Sequence, residues 1–255
     1  MVEEIKTAAR FDSRVANYAA YRPGYPQELI AFLRDELGLS PESVVADVGS
    51  GTGILAGLLL REGCRVFAVE PNAAMREAAE AALGHDPNFL SVAGTAEATT
   101  LGDASVDLVT AAQAFHWFDA GRARAESRRI LKPAGRAAVV WNNRRTDSTP
   151  FLRDYEKLLR RFGTDYAQVA ATYGDADGLR KFFASGHRTE RFDNSQLFDF
   201  EGLKGRLLSA SYVPLAGHPS HGPMLEELRR VFDAHQQGGR VRIEYDTDVY
   251  YGRLD

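Results

Sequence analysis

The sequence has a single cysteine, Cys64, which excludes an intramolecular disulfide framework and a cysteine metal cluster. Cys64 opens an apolar run and is expected to be a buried small residue. None of the six histidines stands four residues from another, so the His-x-x-x-His spacing of a helical zinc site is missing and no metal is expected. No apolar run approaches the roughly 18 residues that cross a bilayer. The charged opening MVEEIKTAAR lacks the apolar segment of a secretory signal. Lys and Arg number 31 against 35 Asp and Glu, a net charge of −4, so no overall positive field draws nucleic acid. The pairs Arg128-Arg129, Arg144-Arg145 and Arg160-Arg161 read as solvated helix and loop charges. The expectation is a cytoplasmic protein, monomer or homodimer, with neither a membrane nor a nucleic acid as partner.

What is present is an apolar fraction of 44% over 255 residues, enough for a sizeable core in one large domain. Strand-like runs at 44–48, 65–70, 89–93, 106–111 and 136–141 alternate with helical patterns at 54–62, 72–83 and 120–131. Gly63 and Gly84 stand where helix C-terminal glycines are expected, and Asp119 where an N-cap is. The strands are mostly apolar rather than alternating, as expected when both faces are covered. This is an α/β chain with a parallel sheet and right-handed crossovers. A helix is expected from about Gln27. The stretch 143–186 is polar and helix-like and reads as a cap over the carboxyl edge of the sheet. Strand patterns return at 188–200 and 240–251, with helices at 201–210 and 224–236 between them.

Residues 44–55, VVADVGSGTGIL, carry the chemistry. A β-branched run ends in Asp47 and is followed by Gly49, Gly51 and Gly53, then an apolar helix. A dinucleotide site needs G-x-G-x-x-G, with the third glycine allowing close helix–strand packing. That position is Ile54 here, and the actual third glycine is Gly53. Glu70 ends the second strand about 20 residues on, where an acid accepts hydrogen bonds from ribose hydroxyls. The series Asp47-x-Gly49-x-Gly51-x-Gly53, with Glu70, resembles motif I and its acidic partner in class I S-adenosylmethionine-dependent methyltransferases. LGDASVDLVTAAQAFHWFD and ILKPAGRAAVV are similar to that family's fourth strand and its following helix, turn and fifth strand. The resemblance covers residues 44–142 and is nearest to the type-11, UbiE-like branch, including trans-aconitate-type small-molecule methyltransferases.

The resemblance implies a Rossmann-like, mostly parallel seven-stranded sheet with an antiparallel last strand, helices on both faces and a helical cap. It divides one methyltransferase domain into a lid and helix at 1–40, a cofactor-binding core at 41–142, a cap at 143–187 and closing strands and helices at 188–255. The cofactor is S-adenosylmethionine. Asp47, Gly49, Gly51 and Gly53 pass under its methionine part, and Glu70 takes the ribose. Pro71, Asn72 and Met75 line the adenine, and Ala96 and Glu97 reach its amino group. Thr99-Thr100-Leu101-Gly102 departs from the Leu-Pro pair common in the family, which bears on loop stiffness.

The acceptor side rests on fewer residues. Gln113, His116 and Trp117 lie at the fourth strand's carboxyl end, where ligands of open α/β sheets sit. Gln113 is assigned to the cofactor. Trp117 offers one N–H and a flat wall, or it anchors the next helix together with Phe118. His116 is a base, a positioning donor or a structural histidine. Tyr18, Tyr21 and Arg22 belong to the phrase NYAAYRPGYP, which resembles a lid; Tyr21 is a second candidate base. Arg22 is suited to the cofactor's carboxylate or to an anionic substrate. Arg144 and Arg145 follow the fifth strand and favour an anionic acceptor. The reaction expected is in-line methyl transfer to a small molecule, including carboxylic acids. An NAD(P)-dependent oxidoreductase and a non-catalytic S-adenosylmethionine-binding protein are the alternatives.

Overall fold

The computed structural model describes residues 20–167 and 175–254. Tyr18, the rest of the first 19 residues, and 168–174 of the expected cap lie outside the described residues. The strands are β1 (Val44–Val48), β2 (Arg65–Val69), β3 (Phe89–Val92), β4 (Val106–Ala112), β5 (Leu131–Arg144), β6 (Arg188–Phe198) and β7 (Val241–Gly252). They form one sheet in the order β3-β2-β1-β4-β5-β7-β6. The pairs β1–β2, β1–β4, β2–β3 and β4–β5 are parallel, and the last strand of the chain is antiparallel.

The helices are α1 (Gln27–Leu37), α2 (Ile54–Arg61), α3 (Ala73–Leu83), α4 (Ala120–Ile130), α5 (Pro150–Phe162), α6 (Ala176–Phe182), α7 (Phe200–Leu208) and α8 (His221–His235). Their ends follow local chemistry. Asn72 accepts the Met75 amide to open α3, and Asp119 accepts the Gly121 and Arg122 amides to open α4. Thr149 caps α5, with Pro150 at its first position. Gly38, at φ +73°, closes α1 in the left-handed region. Gly84 closes α3 in a right-handed conformation instead, at φ −63°.

The chain divides into two compact units. The sheet unit contains residues 24–142, 175–192 and 247–254. Its core gathers α1, β1, α2 and β2 through Leu29, Leu33, Val45, Leu55, Leu59 and Val66, all 2% exposed or less. Burial of such aliphatic side chains is the main favourable contribution to folding. The helical unit contains residues 20–23, 143–167 and 193–246. Its core joins Leu152, Leu158, Leu203, Leu207, Met224, Leu228 and Ile243. The stretch expected as one cap thus contributes to both units.

β5 is longer than the expected 136–141. Its register against β4 jumps from Val106↔Leu131 to Leu108↔Arg136, so residues 132–135 bulge out of the ladder around Pro133. α8 starts before Pro223 rather than after it, because a proline in a first helical turn removes no intrahelical bond.

Candidate active site

β1 brings Asp47 to the edge where the glycine loop begins. Asp47 is 1% exposed and accepts the Thr110 hydroxyl at 2.8 Å, a bond permitted by the Asp47↔Thr110 register between β1 and β4. Burial raises its carboxyl from 3.8 to about 7; the Thr110 hydroxyl and the Ala56 amide in the first turn of α2 act the other way. The second oxygen, Oδ2, is buried and makes no hydrogen bond among the described residues.

The three loop glycines all have positive φ, at +69° (Gly49), +56° (Gly51) and +82° (Gly53). Their surroundings differ. A Cβ on Gly49 would lie 2.5 Å from the Ala114 Cβ, and one on Gly53 would lie 2.6 Å from Leu83 Cδ1. Gly49 therefore lets the loop close on the 113–118 segment, and Gly53 lets α2 approach α3. A Cβ on Gly51 would meet nothing within 4 Å, so this glycine faces open space. The Ser50 and Thr52 hydroxyls between the glycines are buried and, like Asp47 Oδ2, have no hydrogen-bond partner among the described residues.

Glu70 lies beyond the end of β2, 9% exposed. Its Oε2 accepts the Gly51 amide at 3.0 Å and its Oε1 the Asn72 amide at 2.9 Å. Burial pushes its carboxyl above the usual range, against these two amides. Each carboxylate oxygen still has a second lone pair. Met75 is buried at 4% exposure and Pro71 is exposed. Ala96 is buried in the tight turn closed by Thr95 and Ala98. Glu97 Oε1 accepts the Asp119 amide at 2.9 Å, so this acid also fixes the start of α4. Thr99 donates through its amide and hydroxyl to Glu126 Oε1 at 2.8 and 2.5 Å, which stiffens the loop where the family's Leu-Pro pair is missing.

At the end of β4, Gln113 adopts φ +58°, a strained conformation for a side chain of its size. It is held by its amide to Val140 O at 2.9 Å and by Nε2 to Asn142 O at 3.2 Å. A 3₁₀ turn over Phe115–Trp117 follows. The ring of Phe115, 2% exposed, packs edge-on against Trp141 and Phe182 and anchors this turn. Trp117 is 43% exposed, with the His116 ring 4.7 Å from its own. Phe118 packs edge-on against Phe115 with ring centroids 5.7 Å apart, so these two rings hold the turn to the core.

Glu70 bonds the Gly51 and Asn72 amides, Asp47 lies on the strand that leads into the loop, and Gly49 sits against Ala114 of the segment holding His116 and Trp117. Tyr21 and Arg22 belong to the helical unit. There the Tyr21 ring lies against Gly205, its carbonyl accepts Gln196 Nε2, and Arg22 Nη2 donates to the Ser209 carbonyl at 3.2 Å. Arg144 and Arg145 are compensated within that unit. Arg144 Nη2 meets Glu156 at 2.5 Å and Tyr166 at 2.9 Å, and Arg145 meets Asp246 and Asp193. They offer no spare charge for an anionic acceptor. Sequence reasoning missed Ser50, Thr52 and Thr110. The first two lie inside the motif, but Thr110 needs the β1–β4 register. No metal-ligating group of three His, Cys, Asp or Glu side chains occurs among the described residues. No described helix is long and apolar enough to cross a membrane.

A family model described as a methyltransferase domain matches residues 46–139. An uncharacterized methyltransferase of Schizosaccharomyces pombe, C25B8.09, is 33% identical over 248 residues, which is 94% of this chain and 95% of that one. The uncharacterized methyltransferase Rv3342 of Mycobacterium tuberculosis is 39% identical over 153 residues, 60% of each chain, so the match spans less than two thirds of that relative. A solved structure from Anaeromyxobacter dehalogenans, provisionally named a type II methyltransferase, superposes with a TM-score of 0.70 at 26% identity, covering 92% of this chain and 99% of that one. The glycine loop with its acidic partner, the strand order and these matches agree: the chain belongs to the class I S-adenosylmethionine-dependent methyltransferases.

Proposed function

We propose that this chain holds S-adenosylmethionine at the glycine loop and transfers its methyl group to a small-molecule acceptor. The observation that carries the reading is the trio of buried polar atoms without a hydrogen bond among the described residues, Asp47 Oδ2, Ser50 Oγ and Thr52 Oγ1, all within the loop segment that also holds Gly51, where a Cβ would meet nothing within 4 Å. Each buried polar group left unsatisfied costs about 1–3 kcal/mol, so three in six residues call for a polar ligand.

The residues suit this cofactor. Bound there, S-adenosylmethionine supplies a methyl group on a cationic sulfur with a neutral leaving group. Asp47 Oδ2 is a buried acceptor suited to the cationic amino and sulfonium end. Glu70 keeps lone pairs for two ribose hydroxyls while its other lone pairs hold the loop. Pro71, Asn72 and Met75 are assigned to the adenine side, Ala96 and Glu97 to its amino group, and Gln113 to the cofactor at the end of β4. His116 and the exposed Trp117 are assigned to the acceptor side. Alignment and exclusion of water supply most of the acceleration in such a displacement. A carboxylate acceptor needs no base at neutral pH, whereas a phenol, amine or carbon acceptor does, and His116 is the candidate.

Calorimetry with S-adenosylhomocysteine, followed by a methylation screen across acids, phenols and amines, tests the reading. One-site binding with turnover of an acceptor supports it. Binding of NAD instead would return the oxidoreductase alternative. Cofactor binding without turnover of any class would favour a non-catalytic binding protein.

A further inference from the structure

The helical unit buries a guanidinium that no carboxylate neutralises among the described residues. Arg206 lies on α7 between the core residues Leu203 and Leu207 and is 7% exposed. Its Nε donates to the Tyr245 hydroxyl at 3.2 Å and its Nη1 to the Ser209 hydroxyl at 3.4 Å. Nη2 makes no hydrogen bond among the described residues, and no carboxylate pairs with Arg206 there. Both bonds are longer than the 2.7–2.9 Å usual where a cation meets a carboxylate. Arg144, in the same unit, shows the contrast: Glu156 meets it at 2.5 Å. Burying a cation without a counter-charge is strongly unfavourable, and native structures pair such groups.

The side chains that Arg206 bonds are hydroxyls, those of Tyr245 and Ser209. Tyr155, Tyr212 and Tyr245 supply its electrostatic surroundings. Burial pushes the Tyr155 phenol above its ordinary range, so that ring provides no negative charge. Tyr245 donates to Gln196 Oε1 at 2.9 Å, which turns its oxygen lone pairs toward Arg206 Nε. A second cation meets the same turn, since Arg22 donates to the carbonyl of Ser209. With Nε on Tyr245 and one Nη1 proton on Ser209, the Nη1–Nη2 edge keeps a fork of N–H donors that matches two oxygens of one oxyanion.

We propose that Arg206 anchors an anion-binding site in the helical unit, with Ser209 and Tyr245 setting the guanidinium's orientation. Its ligand is the carboxylate or phosphate group of a small organic molecule. The anion site does not rest on the methyltransferase reading.

The test is calorimetry on the full chain with benzoate, succinate, inorganic phosphate and the neutral methyl benzoate, with S-adenosylhomocysteine titrated into the same samples. Benzoate or succinate binds at least tenfold more tightly than methyl benzoate, and Arg206→Met removes at least tenfold of that affinity while S-adenosylhomocysteine affinity stays within twofold. Tighter binding of phosphate than of either carboxylate assigns the site to phosphorylated ligands. Absence of binding by all three anions, or equal anion affinity in the variant, overturns the site even if S-adenosylhomocysteine binds. Loss of S-adenosylhomocysteine binding with anion binding intact contradicts only the cofactor reading. Should Arg206→Met not fold, Arg206→Lys, which keeps the charge and loses the fork, decides: at least fivefold weaker anion binding supports the site and unchanged binding overturns it.

Discussion

Glu70 Oε2 accepts the Gly51 amide at 3.0 Å, so the acid suited to a ribose also fixes the glycine that faces open space. Ligand recognition and loop shape therefore depend on one carboxylate. In Glu70→Gln, one side-chain oxygen serves two backbone N–H groups. The expected cost in S-adenosylhomocysteine affinity is about 1–3 kcal/mol, with a lower melting temperature. Calorimetry and thermal melts check both; an unchanged affinity means that Glu70 does not touch the ligand.

Asp47 makes stability and binding depend on pH in opposite ways. Its carboxyl titrates at about 7 when folded, against 3.8 ordinarily. Between about pH 4 and 7 the folded state therefore holds the extra proton, and stability falls as pH rises through that window and levels off above it. Asp47→Asn removes this slope, which amounts to about 4 kcal/mol. A cationic ligand beside Oδ2 favours the ionised form, so binding releases a proton and affinity grows from pH 6 to 7. Denaturation and calorimetry across this range check it, and identical slopes in wild type and Asp47→Asn contradict it.

Two glycines of the loop separate folding from binding. Gly53→Ala combines φ +82° with a Cβ 2.6 Å from Leu83 and is expected to destabilise the chain by about 1–3 kcal/mol. Gly51→Ala meets no atom and costs about 1–2 kcal/mol of backbone strain, but it fills the open face. Its expected signature is a small stability loss with at least a tenfold loss of S-adenosylhomocysteine affinity.

Phe115 and Trp117 are two residues apart and differ in role. Phe115→Ala empties a packed site and is expected to cost about 3–5 kcal/mol. Trp117→Ala, at an exposed position, is expected to cost within about 0.5 kcal/mol. Urea denaturation separates them, and a large loss at Trp117 would show that its ring is structural.

The local parts of this fold are legible in the sequence because their causes are local. β1 is an apolar β-branched run, Asp119 caps the next residues, and glycine spacing fixes the loop. Features that depend on distant pairing are not legible. Thr110 reaches Asp47 only through strand register, and Arg145 is neutralised by Asp246, 101 residues away. The basic pair Arg144-Arg145 looked available because its partners are remote, whereas Arg206 stands in an unremarkable helical run and emerges only once its surroundings are known. The bulge at 132–135 hid the start of β5 for a related reason, since only pairing with β4 defines it.

The central claim is that the loop holds a sulfonium cofactor. The measurement that tests it most directly is side-by-side calorimetry of S-adenosylhomocysteine and NAD on the wild-type chain and Gly51→Ala. The account predicts one-site S-adenosylhomocysteine binding that weakens at least tenfold in the variant, and no NAD binding. NAD binding without S-adenosylhomocysteine binding, or an affinity for S-adenosylhomocysteine untouched by Gly51→Ala, would contradict it.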